Sequence, residues 1–295
     1  MTGIINWREI EKMTNWAMSK SDEDAKRWDT GADGWQKRID FEKNFSQAQA
    51  DAMTRITKND TVLDACCGTG RLTLPLAHKA KHVYGVDAGE NMLQHCRGNV
   101  KKAGLENVTL KQIKNWHTSE PGKEIPVVDI AVACISPAQA DIVKFSRCAR
   151  KYCYSLSFTG SPYRFVMSEL FEGVTSSWPH IKKEPLKKKN GSIMRQMGLN
   201  VPFNILYDLG ANPEVSYVDG GWEYEADSLD EVYSYLAGFG TVDPEYWERF
   251  KENCNRRIQK TEHGTYRYFA PSQMYVLGWD PNALQLDEIS ALERL

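Results

Sequence analysis

The chain has 295 residues, 41% of them hydrophobic and 26% charged, with a formal net charge of −2. That suits a globular protein with one large α/β domain and insertions, or a core domain plus a cap. The near-balanced charge gives no reason to expect wholesale nucleic-acid binding, and no apolar run reaches the roughly 20 residues that span a bilayer.

The opening MTGIINWREIEKM has no basic stretch followed by an apolar one, so a cytoplasmic location is expected. Residues 5–57 read as helices: Trp7, Ile10, Met13, Trp16 and Met18 recur at roughly helical spacing, and Phe41 and Phe45 continue the pattern. The period then changes. VLDAC (62–66) reads as a buried strand, RLTLPLAHKA as a helix with Pro75 near its first turn, and HVYGVD (82–87) as a second strand. GENMLQHCRGNVKKAG reads as a helix closed by Gly104. VTLKQI (108–113), VVDIAVACI (127–135) and KYCYSLSF (151–158) follow as strands, with the helix PAQADIVKFSRCA before the last. Alternating helices and continuous apolar strands imply a parallel sheet covered on both faces. Between 160 and 200 the alternation breaks, as an insertion with a helix first and the basic run KKEPLKKK (182–189) after it. Then come the helix FNILYDLG, a sixth strand PEVSYV, the helices SLDEVYSYLAGFG and PEYWERFKENCNRRIQK, and a last strand YRYFAPSQMYVLGW.

The most informative stretch is 61-TVLDACCGTGRLTLPLA-77. Gly68 and Gly70 sit where the first strand turns into a helix, and glycines there let backbone approach a ligand. Asp64 precedes the turn, and Asp87 ends the second strand, where a carboxylate can accept hydrogen bonds from ribose hydroxyls. No third glycine adapts the turn to a pyrophosphate, and no phosphate-loop pattern occurs. A carboxylate beside the turn repels phosphate but suits an ammonium group. S-Adenosylmethionine has a ribose, an adenine and an α-ammonium, and no phosphate. The seven cysteines, at 66, 67, 96, 134, 148, 153 and 254, form no C-x-x-C pair and no Cys/His cluster, so reduced thiols and no metal are expected.

VLDACCGTG followed by YGVDAGENML resembles the first two motifs of the class I S-adenosylmethionine-dependent methyltransferases, and the D-x-C-C-G-T-G form is similar to the quinone-biosynthesis members. The resemblance implies a Rossmann-like α/β fold: a seven-stranded, mostly parallel sheet with an antiparallel last strand, helices on both faces and a helical cap. Residues 1–57 would form that cap and 58–295 the methyltransferase domain, with a lid insertion at about 160–200. It also implies roles. Asp64 would help hold the methionine amino group, and Gly68 and Gly70 would line the methionine and ribose. Asp87 would bind the ribose hydroxyls, with Ala88 and Met92 beside the adenine. Cys66 and Cys67 would be there for small size next to the cofactor. Asn115 and Trp116 fall where the family often faces the adenine amine. Cys134 and Ser136, at the end of the fourth strand, fall where acceptor and methyl group meet, although Ser136 also reads as a helix cap.

Related methyltransferases fold a tryptophan-bearing N-terminal stretch over the cofactor, and Trp28, Ala32 and Trp35 fit that description. Trp28, Trp35, Tyr163, Arg164 and Trp178 are candidates for contacting the acceptor, and His117, Tyr163 and His180 for a general base. The expected activity is methyl transfer to a small-molecule acceptor by in-line displacement; a catalytically silent binding or sensor protein of the same fold is the alternative. Neither membrane nor nucleic acid is expected as a partner.

Overall fold

A computed structural model describes residues 5–7, 10, 26, 28–159, 163–174 and 199–285. Most of the expected lid insertion, including Trp178, His180 and the basic run 182–189, lies outside the described residues, as does the side chain of Arg164.

The strands are β1 (Thr61–Ala65), β2 (His82–Asp87), β3 (Val108–Gln112), β4 (Val128–Cys134), β5 (Ala149–Phe158), β6 (Glu214–Ala226), β7 (Ile258–Lys260) and β8 (Tyr266–Trp279). They form one sheet in the order β3-β2-β1-β4-β5-β8-β6, with β7 paired to β8. β1 to β5 run parallel, and β8 enters antiparallel between β5 and β6. The expected parallel sheet with an antiparallel last strand is therefore present, with one short strand more than the sequence suggested. β1 and β4 are buried on both faces, which is why their sequences are nearly unbroken apolar runs.

The helices are α1 (Ala32–Gln36), α2 (Arg38–Phe41), α3 (Lys43–Ala52), α4 (Thr73–Lys79), α5 (Glu90–Lys102), α6 (Ile142–Ser146), α7 (Tyr163–Leu170), α8 (Asn200–Asp208), α9 (Leu229–Ala237) and α10 (Trp247–Asn255). Pro75 lies in the first turn of α4, where its missing N–H costs nothing. The stretch expected as one helix after β4 is two. A 3-10 turn, Pro137–Ala140, ends at Asp141, whose side chain then caps α6 by accepting from the Lys144 backbone N–H. The helix expected over PEYWERFKENCNRRIQK stops at Asn255, and its tail Ile258–Lys260 pairs with β8.

The sixth strand differs most from expectation. It runs on from PEVSYV to Ala226. Its ladder with β8 extends from Glu214 opposite Gly278 to Ala226 opposite Tyr266, whereas β5 pairs with β8 only as far as Phe158 opposite Met274. The outer half of the β6–β8 pair thus projects beyond the carboxyl ends of the parallel strands. Around it α7, α9 and α10 bury an aromatic-rich core of Phe41, Trp222, Tyr233, Phe250 and Tyr268. Two further cores contain, respectively, Leu63, Trp116, Phe145 and Trp279, and Met53, Leu76, Val83 and Tyr154.

Candidate active site

The turn after β1 is built from left-handed residues: Cys66 has φ 60°, Gly68 φ 55° and Gly70 φ 93°. The Gly68 N–H donates to Asp87 Oδ2 and the Gly89 N–H to Asp87 Oδ1, each at 2.8 Å. Asp87 therefore ties together the loops that follow β1 and β2, and burial raises its pKa. A Cβ added to Gly68 would meet only Met92 Sδ, at 3.9 Å, so that face of the turn is open to a ligand. Gly70 has a second reason to be glycine: a Cβ there would come within 2.6 Å of Cys96 Sγ on α5.

Asp64 is buried at the end of β1, and its Oδ2 accepts from Thr73 Oγ1 at 2.7 Å. Burial raises its pKa to about 6, against the opposing pull of the Thr73 hydroxyl and the Arg71 charge. Burial likewise pushes up the thiols of Cys66 and Cys134, and Cys67 is pushed up by its contact with Cys96 as well as by burial. All three stay protonated near neutral pH, which fits packing better than nucleophilic chemistry. Among the described residues no group of three or more His, Cys, Asp or Glu could hold a metal ion.

The remaining cofactor candidates are spread around the same loops. Met92 is buried on α5, and the Ala88 carbonyl accepts from Gln112 Nε2 at 3.1 Å. Asn115 Oδ1 accepts from the backbone N–H and hydroxyl of Thr118. Trp116 is buried, its ring 6.3 Å from that of Phe145. His117 follows in the same loop, its carbonyl accepting from Lys144 Nζ at 3.1 Å. Ser136 does open the 3-10 turn, and its N–H donates to Gln139 Oε1, while the Gln139 amide reaches Ser155 and Leu156 on β5.

On the side where the sequence places the acceptor, the structure assembles residues that the sequence did not single out. Arg71 lies just past Gly70 and is enclosed by α3 and the end of β4. Its Nη1 donates to Gln49 Oε1 at 2.8 Å and to Ser46 Oγ at 3.2 Å, its Nη2 to Cys134 Sγ at 2.9 Å, and its Nε lies 3.4 Å from Glu42 Oε2. Glu42 is buried, yet its pKa is lowered, because Arg38, Arg71 and the Trp222 indole outweigh the cost of burial. Arg38 Nε donates to Glu42 Oε1 at 2.6 Å, and its guanidinium stacks 4.2 Å from the Trp35 ring and 3.9 Å from the Tyr163 ring. Tyr163 in turn meets Trp222 edge-on at 5.8 Å. Of the expected acceptor residues, Trp35 and Tyr163 are thus brought together, and Trp28 packs 5.9 Å from Trp35. Burial raises the Tyr163 pKa, so its phenol stays protonated near neutral pH.

The N-terminal segment is laced to α5 along one face. Asp29 accepts from the Asn91 backbone N–H at 2.7 Å and from its side chain at 3.0 Å, and Asp33 meets His95 at 2.8 Å. Gln36 and Asn99 exchange amide hydrogen bonds, and Asn99 also reaches the Thr69 carbonyl inside the glycine turn. The signal for this was present as two polar rows at helical spacing: Asp29, Asp33 and Gln36 against Asn91, His95 and Asn99.

Residues 56–177 match the family model described as a methyltransferase domain. An uncharacterized RNA methyltransferase of Listeria innocua is 37% identical over 87 residues, which is 28% of this chain and 19% of the relative. A 23S rRNA (uracil(1939)-C(5))-methyltransferase RlmD of Marinomonas posidonica is 47% identical over 62 residues, 21% of this chain and 14% of the relative. The chain spans about a fifth or less of the length of these relatives. A putative methyltransferase structure from Bacillus halodurans is a distant likeness, 14% identical with a TM-score of 0.45 over 80% of this chain and 98% of that one. The expectation that nucleic acid is no partner is overturned by the curated relatives, which are named RNA methyltransferases. Net charge averages over a whole surface and says nothing about a local binding face. The finer likeness to quinone-biosynthesis enzymes gains no support from them. No described helix is long and apolar enough to cross a membrane. The crevice at the carboxyl ends of β1 and β2 fits the cofactor expected from the sequence, with an open glycine turn and a carboxylate on each side. Residues 56–177, which hold this crevice, are thus similar to a methyltransferase domain.

Proposed function

We propose that the chain as a whole is an S-adenosylmethionine-dependent methyltransferase whose acceptor is a base of an RNA. The observation that carries the reading is the array at the carboxyl end of β4. The Trp35 and Tyr163 rings stand beside Arg38, and the half-buried Arg71 reaches Cys134. Aromatic faces and guanidinium planes are the usual stacking platforms for an unstacked base. The names of the curated relatives point the same way.

In this reading Asp87 receives the ribose hydroxyls and Asp64 the ammonium group, while Gly68 gives the cofactor room. The cofactor, when bound, supplies an already activated methyl group. The protein's task is then to place the acceptor in line and keep water out. The Cys134 thiol and the Tyr163 phenol are both held protonated by burial, so what this array offers is alignment more than deprotonation.

Incubation with methyl-labelled cofactor and total cellular RNA, followed by digestion to nucleosides, tests the proposal. Label in a modified nucleoside is expected. Label confined to the nuclease-resistant, low-molecular-weight fraction sinks the RNA reading, and tight S-adenosylhomocysteine binding with no turnover favours the silent binding protein.

A further inference from the structure

Gln49 is fully buried on α3, and its Nε2 has no hydrogen-bond partner. The orientation of this amide is fixed. Arg71 carries only donors, so the atom it touches must be the oxygen, Oε1. The nitrogen is therefore a donor without an acceptor, and such a group costs about 1–3 kcal/mol unless something in the working protein satisfies it. Among the described residues, its neighbours are otherwise engaged: Ser46 Oγ and Glu42 meet Arg71, and the Cys134 thiol faces Gln49 Oε1 at 3.9 Å.

We infer that Gln49 Nε2 is a recognition group for the acceptor and that it selects a base edge presenting a keto oxygen. This rests on the RNA reading above and narrows it. Two features support the placement. The amide lies at the carboxyl end of β4, touching the guanidinium that reaches Cys134, on the side where the acceptor must approach. Two guanidiniums, Arg38 and Arg71, also stand close by, facing Glu42 and, for Arg71, the Asp64 carboxyl that burial holds toward its protonated form. A guanidinium beside a free amide N–H suits an oxygen that carries partial negative charge. At the position that separates the bases, C4 of a pyrimidine and C6 of a purine, an exocyclic amine would turn N–H toward N–H. The expected acceptors are thus uracil-type or guanine-type bases, and cytosine-type and adenine-type bases are disfavoured. The Glu42–Arg71 pair acts as a positioning element. It holds the guanidinium that fixes the amide oxygen, and so aims the nitrogen.

The discriminating variant is Gln49→Glu. It is isosteric, keeps an oxygen for Arg71 and replaces the free donor by an acceptor. A merely structural Gln49 would tolerate this change, because its one bond is retained or strengthened. The probes are the four nucleoside monophosphates, titrated against wild type and variant saturated with S-adenosylhomocysteine. Uridine and guanosine monophosphates are expected to bind wild type at least about fivefold more tightly than cytidine and adenosine monophosphates, since one good hydrogen-bond contrast is worth about 1–3 kcal/mol. In the variant that preference should vanish or reverse, with the melting temperature unchanged or raised and S-adenosylhomocysteine affinity unchanged. Equal binding of all four, or a preference that survives in the variant, overturns the inference. A keto preference lost in the variant, with no RNA labelled in the transfer assay, sustains the inference about the amide and removes the RNA reading instead.

Discussion

Gly70 offers a direct test of how the glycine turn is packed. Its φ of 93° lies in the left-handed region, and a Cβ would stand 2.6 Å from Cys96 Sγ but 3.6 Å from Cys96 Cβ. Gly70→Ala should therefore incur two costs. Left-handed strain on a non-glycine residue is about 1–2 kcal/mol, and forcing a methyl into a packed contact about 1–3 kcal/mol, giving a loss of roughly 2–5 kcal/mol. Cys96→Ala alone removes one buried atom and should cost about 1 kcal/mol. In the double variant the clash is gone, since 3.6 Å is ordinary contact, and the new methyl fills part of the space left by sulfur. The double variant should then be more stable than Gly70→Ala by about 1–2 kcal/mol instead of less stable, a coupling well above additivity error. Urea denaturation under reducing conditions, followed by circular dichroism, measures all four proteins. Strict additivity would falsify the packing account and leave backbone strain as the whole effect. Gly68→Ala is the control: its Cβ finds open space, so it should be mildly destabilising but should weaken S-adenosylhomocysteine binding.

Four further outcomes follow from charged groups. Asp64, with its folded pKa raised to about 6 from 3.8, binds more protons folded than unfolded, so its contribution to stability should be full below pH 3.8 and fall by about 3 kcal/mol as pH rises through 6; Asp64→Asn should flatten this segment of the urea-midpoint profile. Because an ammonium ligand favours the ionised form, S-adenosylhomocysteine affinity should climb between pH 5 and 7 with release of a proton, visible as buffer-dependent binding enthalpy and absent in Asp64→Asn. Glu42→Gln removes the carboxylate that the buried Arg38 shares with Arg71 and should cost about 3–5 kcal/mol in thermal or urea unfolding; a loss under 1 kcal/mol would mean that water reaches the cluster. Asp29→Ala removes the carboxylate at the start of α5 and should raise hydrogen exchange in residues 28–36, costing about 1 kcal/mol overall; unchanged exchange would show that Gln36 and His95 suffice.

Much of the cofactor half was legible in the sequence because its signals are local. The buried runs of β1 and β4 announce strands covered on both faces, and Asp64, Gly68 and Asp87 lie at the strand ends that the pattern itself locates. The outer half of β6 was not legible, because DGGWEYEA mixes paired glycines and charges that read as a turn, and its pairing partner lies far along the chain. β7 was missed because IQK continues a helical pattern without a turn residue before it. The acceptor-side array was hidden for a different reason. Arg71, Glu42 and Gln49 are ordinary polar residues on helical or turn segments, and only tertiary packing brings them against one another. Long-range pairing of buried charge leaves no periodic trace.

The unbroken β6–β8 ladder also governs how this protein can open. Two strands that pass from the central sheet into the outer layer covered by α7, α9 and α10 without interruption act as a stiff cantilever: bending it would shear a continuous row of backbone hydrogen bonds. That layer therefore has no hinge at its root, and its aromatic core moves with the sheet. Access for a bulky acceptor falls instead to segments held at one edge by side-chain contacts, such as residues 28–36 along α5, whose polar pairs can be broken and remade one at a time. Such a gate would carry Trp35 away from Arg38 while the aromatic core around Trp222 and Tyr268 stays in place.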